Sequence, residues 1–242
     1  MIVSPTFFLP LHQLRCIMNI EPIAYFSTPL QSKFGVPRQS GLCPSLQGTV
    51  TLQPQWRHAE ALKGIDAFDY IWLIWGFSEN VEAQKRCTVR PPRLGGNTAM
   101  GVFATRSSFR PNNLALSSVK LVSVEWNAPN GPLLHVEGAD LMNGTPIYDI
   151  KPYLPFTDSH PQAAAGFVDS VQWHPLQVVY ETPLPSTWEE EQRQALTEVL
   201  QQDPRPSYHH DAQRIYGMTF AHHNIRFTVD DKALHVSEIA PL

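Results

Sequence analysis

Proline fills 22 positions against 13 for glycine, and the apolar runs between them are short. Each proline fixes φ and removes an amide donor, which excludes long helices over most of the chain. The remainder is a series of short extended segments between rigid turns. Ile20 to Ser27 (IEPIAYFS) reads as a strand ended by Thr28-Pro29, and Thr49 to Leu52 as a second. Arg57 to Lys63 reads as a short helix with Gly64 as its left-handed stop. Phe68 to Phe77 (FDYIWLIWGF) is almost continuously apolar and predicts a strand buried on both faces. Val119 to Trp126 alternates, Asn127 to Gly131 turns, and Leu133 to Val136 returns as its hairpin partner. After the Asn143-Gly144 turn, Ile147 to Ile150 is a further strand, and Pro152 and Pro155 confine its continuation to an edge or irregular path. Short strands with turn signals between them predict a mainly β unit, a barrel or a sandwich.

Residues 157–170 (TDSHPQAAAGFVDS) are small and polar and read as a linker. Beyond it the pattern changes. Thr187 to Glu190 supplies a capping box for a helix from Trp188 to Gln202. Its Trp188, Ala195, Leu196, Val199 and Leu200 share one face, and Asp203-Pro204 ends it. Ile215 to Phe220, Asn224 to Val229 and Ala233 to Ile239 are strands, so residues 171–242 form a small α+β domain. At the other end, residues 1–17 are mildly apolar but broken by Pro5 and Pro10, with no basic start. Residues 1–18 read as a tail ahead of the domain over residues 19–156: either Met18 is the natural start and the preceding residues are not native, or the first 17 residues form a loose tail.

Charge is unevenly placed. Between Glu82 and Glu125 no acidic residue occurs, while Lys85, Arg86, Arg90, Arg93, Arg106, Arg110 and Lys120 do. The whole chain carries −4, so everything outside that window sums to about −11. The arginines sit among Pro, Gly and Asn, which fix backbone shape, and Met100 to Ala104 reads as a buried strand that delivers Arg106. A solvated basic face is one account of such a run. Recognition of phosphate or carboxylate by arginine forks is the other.

Other chemistry has little footing. Three cysteines, Cys16, Cys43 and Cys87, lie far apart with no CxxC pair, which suits inert thiols in a reducing compartment. There is no GxGxxG after a strand, no P-loop, no HExxH and no GxSxG. His209, His210, Asp211, His222 and His223 match no standard ligand spacing, so no metal is expected.

Four segments read together carry a resemblance: PRQSG (Pro37 to Gly41), TVRPPRLGGN (Thr88 to Asn97), MGVFATRSSFRPN (Met100 to Asn112) and ADLMNGTPIYDIKPYLPF (Ala139 to Phe156). With DPRPSY (Asp203 to Tyr208), they resemble the TsaA-like, or YaeB, family of tRNA methyltransferase O proteins, from about Ile20 to the end. The resemblance implies a single-sheet β-barrel rather than a Rossmann sheet. It also implies an S-adenosylmethionine-dependent enzyme that methylates N6 of N6-threonylcarbamoyladenosine at position 37 of the tRNA anticodon loop, as a cytoplasmic homodimer.

Carried over by position, the resemblance implies cofactor contacts from Pro37, Arg38, Gln39, Arg106, Leu116, Asp140, Leu141, Met142 and Asn143. It adds Ser78 and Glu79 after the apolar strand, where relatives often have His-Gln. Asn143 stands where relatives often carry Asp. The residue types suit the ligand: Arg38 or Arg106 can fork onto a carboxylate, and Asp140 can hold a ribose hydroxyl or an amine. The acceptor nitrogen is weakly nucleophilic and must shed a proton, so a base is expected, with Asp140 and Tyr153 as candidates. A turn-capping role for Asp140 and a packing role for Tyr153 are the structural alternatives. Arg90, Arg93, Arg110, Lys151, Arg205 and Tyr208 are expected on RNA, through phosphate pairing and base stacking. A noncatalytic RNA- or nucleotide-binding module using the same patch is the rival reading.

Overall fold

The computed structural model describes residues 19–80, 86–171, 173–206, 209, 211–230 and 232–242, with the main chain alone at Asn80 and Arg93. The expected tail over residues 1–18 and the RNA candidate Tyr208 lie outside the described residues.

Six antiparallel strands close a barrel. They are β1 (Ala24–Ser27), β2 (Gln47–Leu52), β3 (Tyr70–Gly76), β6 (Leu114–Glu125), β7 (Leu133–Glu137) and β8 (Pro146–Pro152). Their order is β1-β2-β7-β6-β3-β8, and β8 pairs back onto β1 through Ala24–Ile147. A short two-stranded arm, β4 (Thr88–Val89) with β5 (Met100–Gly101), projects between β3 and β6. The barrel interior is filled by alternate side chains, among them Phe26, Val50, Ile71, Leu73, Val119, Leu134, Val136 and Ile147. Gly48 is required there, because a Cβ on it would sit 2.1 Å from the Phe26 ring.

Two expectations are corrected by the faces. β3 is not buried on both sides: Ile71, Leu73 and Trp75 point inward, while Tyr70 is exposed and Trp72 and Ile74 are half-buried. Its unbroken apolar run reflects an aromatic outer face rather than a second covering layer. The run Met100 to Ala104 is a strand only over Met100–Gly101, followed by a 3-10 turn over Val102–Ala104. Val102 is buried but Phe103 is 78% exposed, so the run is a cornered loop and not a core strand.

Beyond the single-turn helix α1 (Pro155–Asp158), the rest of the chain forms a four-stranded sheet with one helix. Strands β10 (Tyr216–Phe220), β11 (His223–Val229) and β12 (Ala233–Pro241) form a meander, with β9 (Gln177–Tyr180) parallel to β12 at its edge. Helix α2 (Glu190–Gln201) starts two residues later than the sequence suggests. Glu189 is its N-cap, and the Glu189 N–H donates to Gln192 Oε1 at 3.2 Å. Leu196, Val199 and Leu200 of α2 pack with Trp188, Phe220, Ile225 and Phe227.

This second core also contains Leu30, Cys43 and Leu46, which come from the β1–β2 connection of the barrel. Leu30 is fully buried and forms an isolated bridge with Phe220. Burying one leucine contributes about 1.5–3 kcal/mol, so these side chains bind the connection firmly to the second sheet. Among the described residues, no helix is long and apolar enough to cross a membrane.

Candidate active site

Three loops meet at one end of the barrel. The first is the β1–β2 connection, which runs Pro37-Arg38-Gln39-Ser40. The second follows β5 and carries Arg106. The third follows β7 and carries Asp140. Arg106 Nη1 donates to Gln39 Oε1, joining the first two. Asp140 accepts the Ser40 N–H and lies within electrostatic reach of Arg106, joining all three.

Below them, β3 and β6 add a relay of hydrogen bonds. Trp75 Nε1 donates to Ser117 Oγ at 2.9 Å, and Ser117 Oγ donates to Asp140 Oδ1. The indole is only a donor, so it fixes the hydroxyl proton toward the carboxylate. Asp140 keeps some surface access but is hemmed in by protein atoms, and burial pushes its carboxyl above the usual range. The Ser117 hydroxyl, main-chain amides and the Arg106 charge oppose that push without cancelling it. A carboxylate so placed is a better proton acceptor near neutral pH than a solvated one.

The other expected cofactor residues lie at different depths. Pro37 and Leu141 are buried, and Met142 is half-buried. Asn143 is committed to the first loop: its Oδ1 accepts the Thr28 N–H at 3.2 Å and its Nδ2 donates to Gln31 Oε1 at 3.1 Å. Arg38 is exposed, and its Nη2 reaches the Asp203 carbonyl at 3.3 Å. Leu116 is 53% exposed on the outer face of β6, opposite to its inward neighbour Ser117. Ser78 and Glu79 form an exposed 3-10 turn just after β3. A cleft of about 540 Å³ opens between β2 and α2; Asn143 is its one shared residue with the expected set, and none of Gln39, Arg106 and Asp140 lines it.

A family model described as the tRNA-methyltransferase O N-terminal domain matches residues 25–159, and one described as the TrmO C-terminal domain matches residues 173–242. The chain belongs to the tRNA-methyltransferase O family. The Escherichia coli (strain K12) protein named tRNA (adenine(37)-N6)-methyltransferase is 38% identical over 231 residues, covering 92% of this chain and 98% of that one. A Pseudomonas aeruginosa protein provisionally named an S-adenosylmethionine-dependent methyltransferase, RcsF, is 37% identical, over 78% of this chain and 83% of its own. A crystal structure of TrmO from the same species superposes with a TM-score of 0.73 at 28% identity, over 93% of this chain and 99% of that chain. The expected family and its barrel architecture are therefore both found.

The two candidate bases of this TrmO-family chain are not brought together. Tyr153 packs on Tyr70 and Trp72, with ring centroids 6.1 and 5.4 Å away, at the start of β3. Asp140 sits by Trp75, at the far end of the same strand. The expected RNA contacts divide similarly. Arg90 is exposed on the β4–β5 arm, and Arg93 lies on the adjoining 3-10 turn, Pro92–Leu94. Arg110 instead turns into its own loop, where Nη1 donates to Thr105 O at 2.9 Å. Lys151 pairs with Asp149 at 3.0 Å, and Arg205 with Asp203 at 3.1 Å.

Sequence reasoning passed over Ser40, Trp75 and Ser117. Ser117 left a readable signal: it is the hydroxyl at an inward position of β6, where Val119 and Leu121 follow in step.

Proposed function

We propose that this chain is an S-adenosylmethionine-dependent methyltransferase acting on N6 of N6-threonylcarbamoyladenosine at position 37 of tRNA. The observation that carries the proposal is the meeting of Gln39, Arg106 and Asp140 from three separate loops over one barrel end. The donor set fits the cofactor. Arg106 has no salt bridge among the described residues, so its fork is available for a carboxylate. Asp140 offers an anionic acceptor for an ammonium or a ribose hydroxyl. Pro37 to Gln39 and Leu141 to Asn143 would form the walls. When bound, S-adenosylmethionine supplies an electrophilic methyl group.

The chain's own residues then align and deprotonate. Loops fixed by hydrogen bonds hold the reacting groups in line, which supplies much of the rate of a displacement. Asp140, with its raised proton affinity, is the better placed of the two candidate bases for the proton leaving N6. Tyr153, with Tyr70 and Trp72, lies at the other end of β3, so in this reading its ring packs the barrel and does not stack on the reacting base. Arg90 and Arg93 would meet phosphates.

The division we propose is a barrel domain over residues 19–156, a linker over residues 157–170 and a C-terminal α+β domain over residues 171–242. The acting form is a cytoplasmic homodimer in this reading. Phe103 and Leu116 are large apolar side chains left 78% and 53% exposed, and a second copy would cover such surfaces. Light scattering checks this, and a monomer at all concentrations would refute the dimer.

Mass spectrometry of tRNA nucleosides from cells with and without the gene tests the activity. Loss of the methylated nucleoside, and its return with the wild-type chain, is expected. An unchanged nucleoside profile, with no calorimetric binding of S-adenosylmethionine, would favour the noncatalytic RNA-binding reading instead.

A further inference from the structure

The β1–β2 connection is held from both sides. On the barrel side, Gly41 N–H donates to Gly138 O at 2.8 Å, and Ser40 N–H donates to Asp140. On the other side lies the C-terminal helix. Gln202 Nε2 donates to Leu42 O at 3.4 Å, and the side chains of Cys43 and Leu46 enter the second core. At the centre of this second grip is Glu198, a residue that α2 buries to 8% exposure.

Glu198 has an unusual set of partners for a buried acid. Its Oε2 accepts the Ser45 N–H at 2.8 Å and its Oε1 accepts the Ser45 hydroxyl at 2.9 Å. Gln194 Nε2, one turn earlier on α2, donates to Oε1 at 3.2 Å. No cation pairs with it among the described residues. A buried carboxylate without a counter-ion is costly unless hydrogen bonds satisfy it, so a residue kept only for packing would be apolar here. What the carboxylate does that no apolar side chain can is clasp one serine by its amide and hydroxyl together. That clasp fixes both position and rotation of the chain at Ser45, five residues after Ser40. Its neighbour Cys43 responds: burial, and next the Glu198 charge, push that thiol up to about 12, which keeps it neutral.

We infer that Glu198 is a positioning residue for the methyl-donor site: through Ser45 it sets the β1–β2 connection, and with it Pro37, Arg38 and Gln39, in the register that Arg106 and Asp140 require. The inference rests on the proposed donor site. It makes the C-terminal domain part of the scaffold for S-adenosylmethionine. Gln39 is the residue that transmits the effect, because it receives Arg106 while riding on the clasped loop.

The test compares Ser45→Ala, Glu198→Gln and the double variant in the full-length chain. Ser45→Ala removes the hydroxyl arm. Glu198→Gln keeps size but removes the charge and leaves one accepting oxygen, so the Ser45 N–H and the Gln194 amide can no longer both donate to a carboxylate and neither remaining bond is charge-assisted. Calorimetric affinity for S-adenosylmethionine is measured well below each variant's melting temperature, beside affinity for tRNA and the KM of each substrate. Each single variant is expected to weaken donor binding about tenfold, the scale of one charge-assisted hydrogen bond. The double variant should lose less than the sum of the singles, since both changes act on one clasp. Affinity for tRNA and its KM should stay within about twofold of the wild type, a split that general loosening of the domain does not give.

Folded variants that melt earlier yet bind S-adenosylmethionine within twofold of the wild type would overturn the inference. So would equal losses of donor and tRNA affinity. Should Glu198→Gln not fold, Ser45→Ala decides by the same criterion. A wild-type chain that binds no S-adenosylmethionine overturns the functional reading itself, whereas a wild type that binds beside unaffected variants overturns only the role of Glu198.

Discussion

Arg38 Nη2 donates to the main-chain carbonyl of Asp203 at 3.3 Å, bridging 165 positions of sequence. Asp203 takes a left-handed backbone with φ 51° just after α2, a conformation that Asp adopts more readily than most non-glycine residues when its side chain is hydrogen-bonded locally. Arg205 holds it there, with Nε 3.1 Å from both carboxylate oxygens. Arg205 also donates to Val229 O at 3.4 Å, and only 16% of its side chain is exposed. It therefore reads as a brace for the helix end rather than a phosphate contact. Arg205→Ala should lower stability by about 1–3 kcal/mol in denaturant melts and leave the salt dependence of tRNA binding unchanged. A shallower salt slope in this variant would return Arg205 to the RNA surface.

Arg106→Ala should weaken binding of S-adenosylmethionine by about 10- to 100-fold, the worth of a fork on a carboxylate. Arg106→Lys should recover little of it, because an ammonium cannot make two parallel bonds. Calorimetry measures both. Wild-type affinity in the alanine variant would remove Arg106 from the donor site.

Asp140 gives a pH dependence of definite sign. Its folded-state proton affinity is raised above the ordinary value of 3.8. Between that value and the raised one, the folded protein holds more protons than the unfolded chain. Asp140 therefore contributes a decline in stability as pH rises through this window, and a constant penalty above it. Asp140→Asn should flatten that part of the stability curve, as read from denaturant midpoints across pH. If Asp140 also accepts the N6 proton, turnover rises with pH over the same window, and Asp140→Asn lowers kcat by about 10²- to 10⁴-fold. An unaltered acid limb in the variant would move the base elsewhere.

The basic loops should divide by what their guanidinium groups touch. Arg110 is bound to Thr105 O and Ser107 O, while Arg90 is exposed on the β4–β5 arm. Arg90→Ala should reduce the slope of log affinity for tRNA against log salt by about 0.7–0.9, the share of one phosphate contact. Arg110→Ala should instead disorder its loop and weaken donor binding, with the slope kept. Titrations at several salt concentrations decide between them, and the reverse assignment of slopes would refute this division.

The two-residue turn between β10 and β11 is strained. Ala221 and His222 both have positive φ, 45° and 59°, where Asn-Gly is favoured. Ala221→Asn with His222→Gly should stabilise the chain by about 1 kcal/mol, which raises Tm by about 2–4 °C. The Ala221 N–H to Pro29 O bond is retained by both replacements. A lower Tm would mean that the side chains, and not the backbone, matter at this turn.

Much of the barrel was legible because most strands are short and lie between turn residues; β6 was read too short, since it runs 12 residues from Leu114 and not from Val119. The two errors of face have one origin. In Tyr70 to Gly76 and in Met100 to Ala104, apolar residues occur at adjacent positions, so alternation carries no information. The site was partly legible, since resemblance placed Gln39, Arg106 and Asp140 on three loops. That Trp75 and Ser117 stand beneath them depends on the β3–β6 register, where Trp75 faces Ala115 and Ser117 faces Leu73. Side-chain reach across such a pair cannot be read from spacing. The same holds for Arg205 and Glu198, whose partners depend on how the two sheets are docked.

Leu30, Cys43 and Leu46 are donated to a core whose remaining members all come from later in the sequence. A fragment that starts after the linker would lack these side chains and be left with an open hydrophobic hollow. Cleaving the peptide between residues 159 and 165 should therefore not release two autonomous halves. The pieces would stay clasped, and co-expressed halves would find each other, with the β1–β2 connection serving as the plug and the second sheet as its socket.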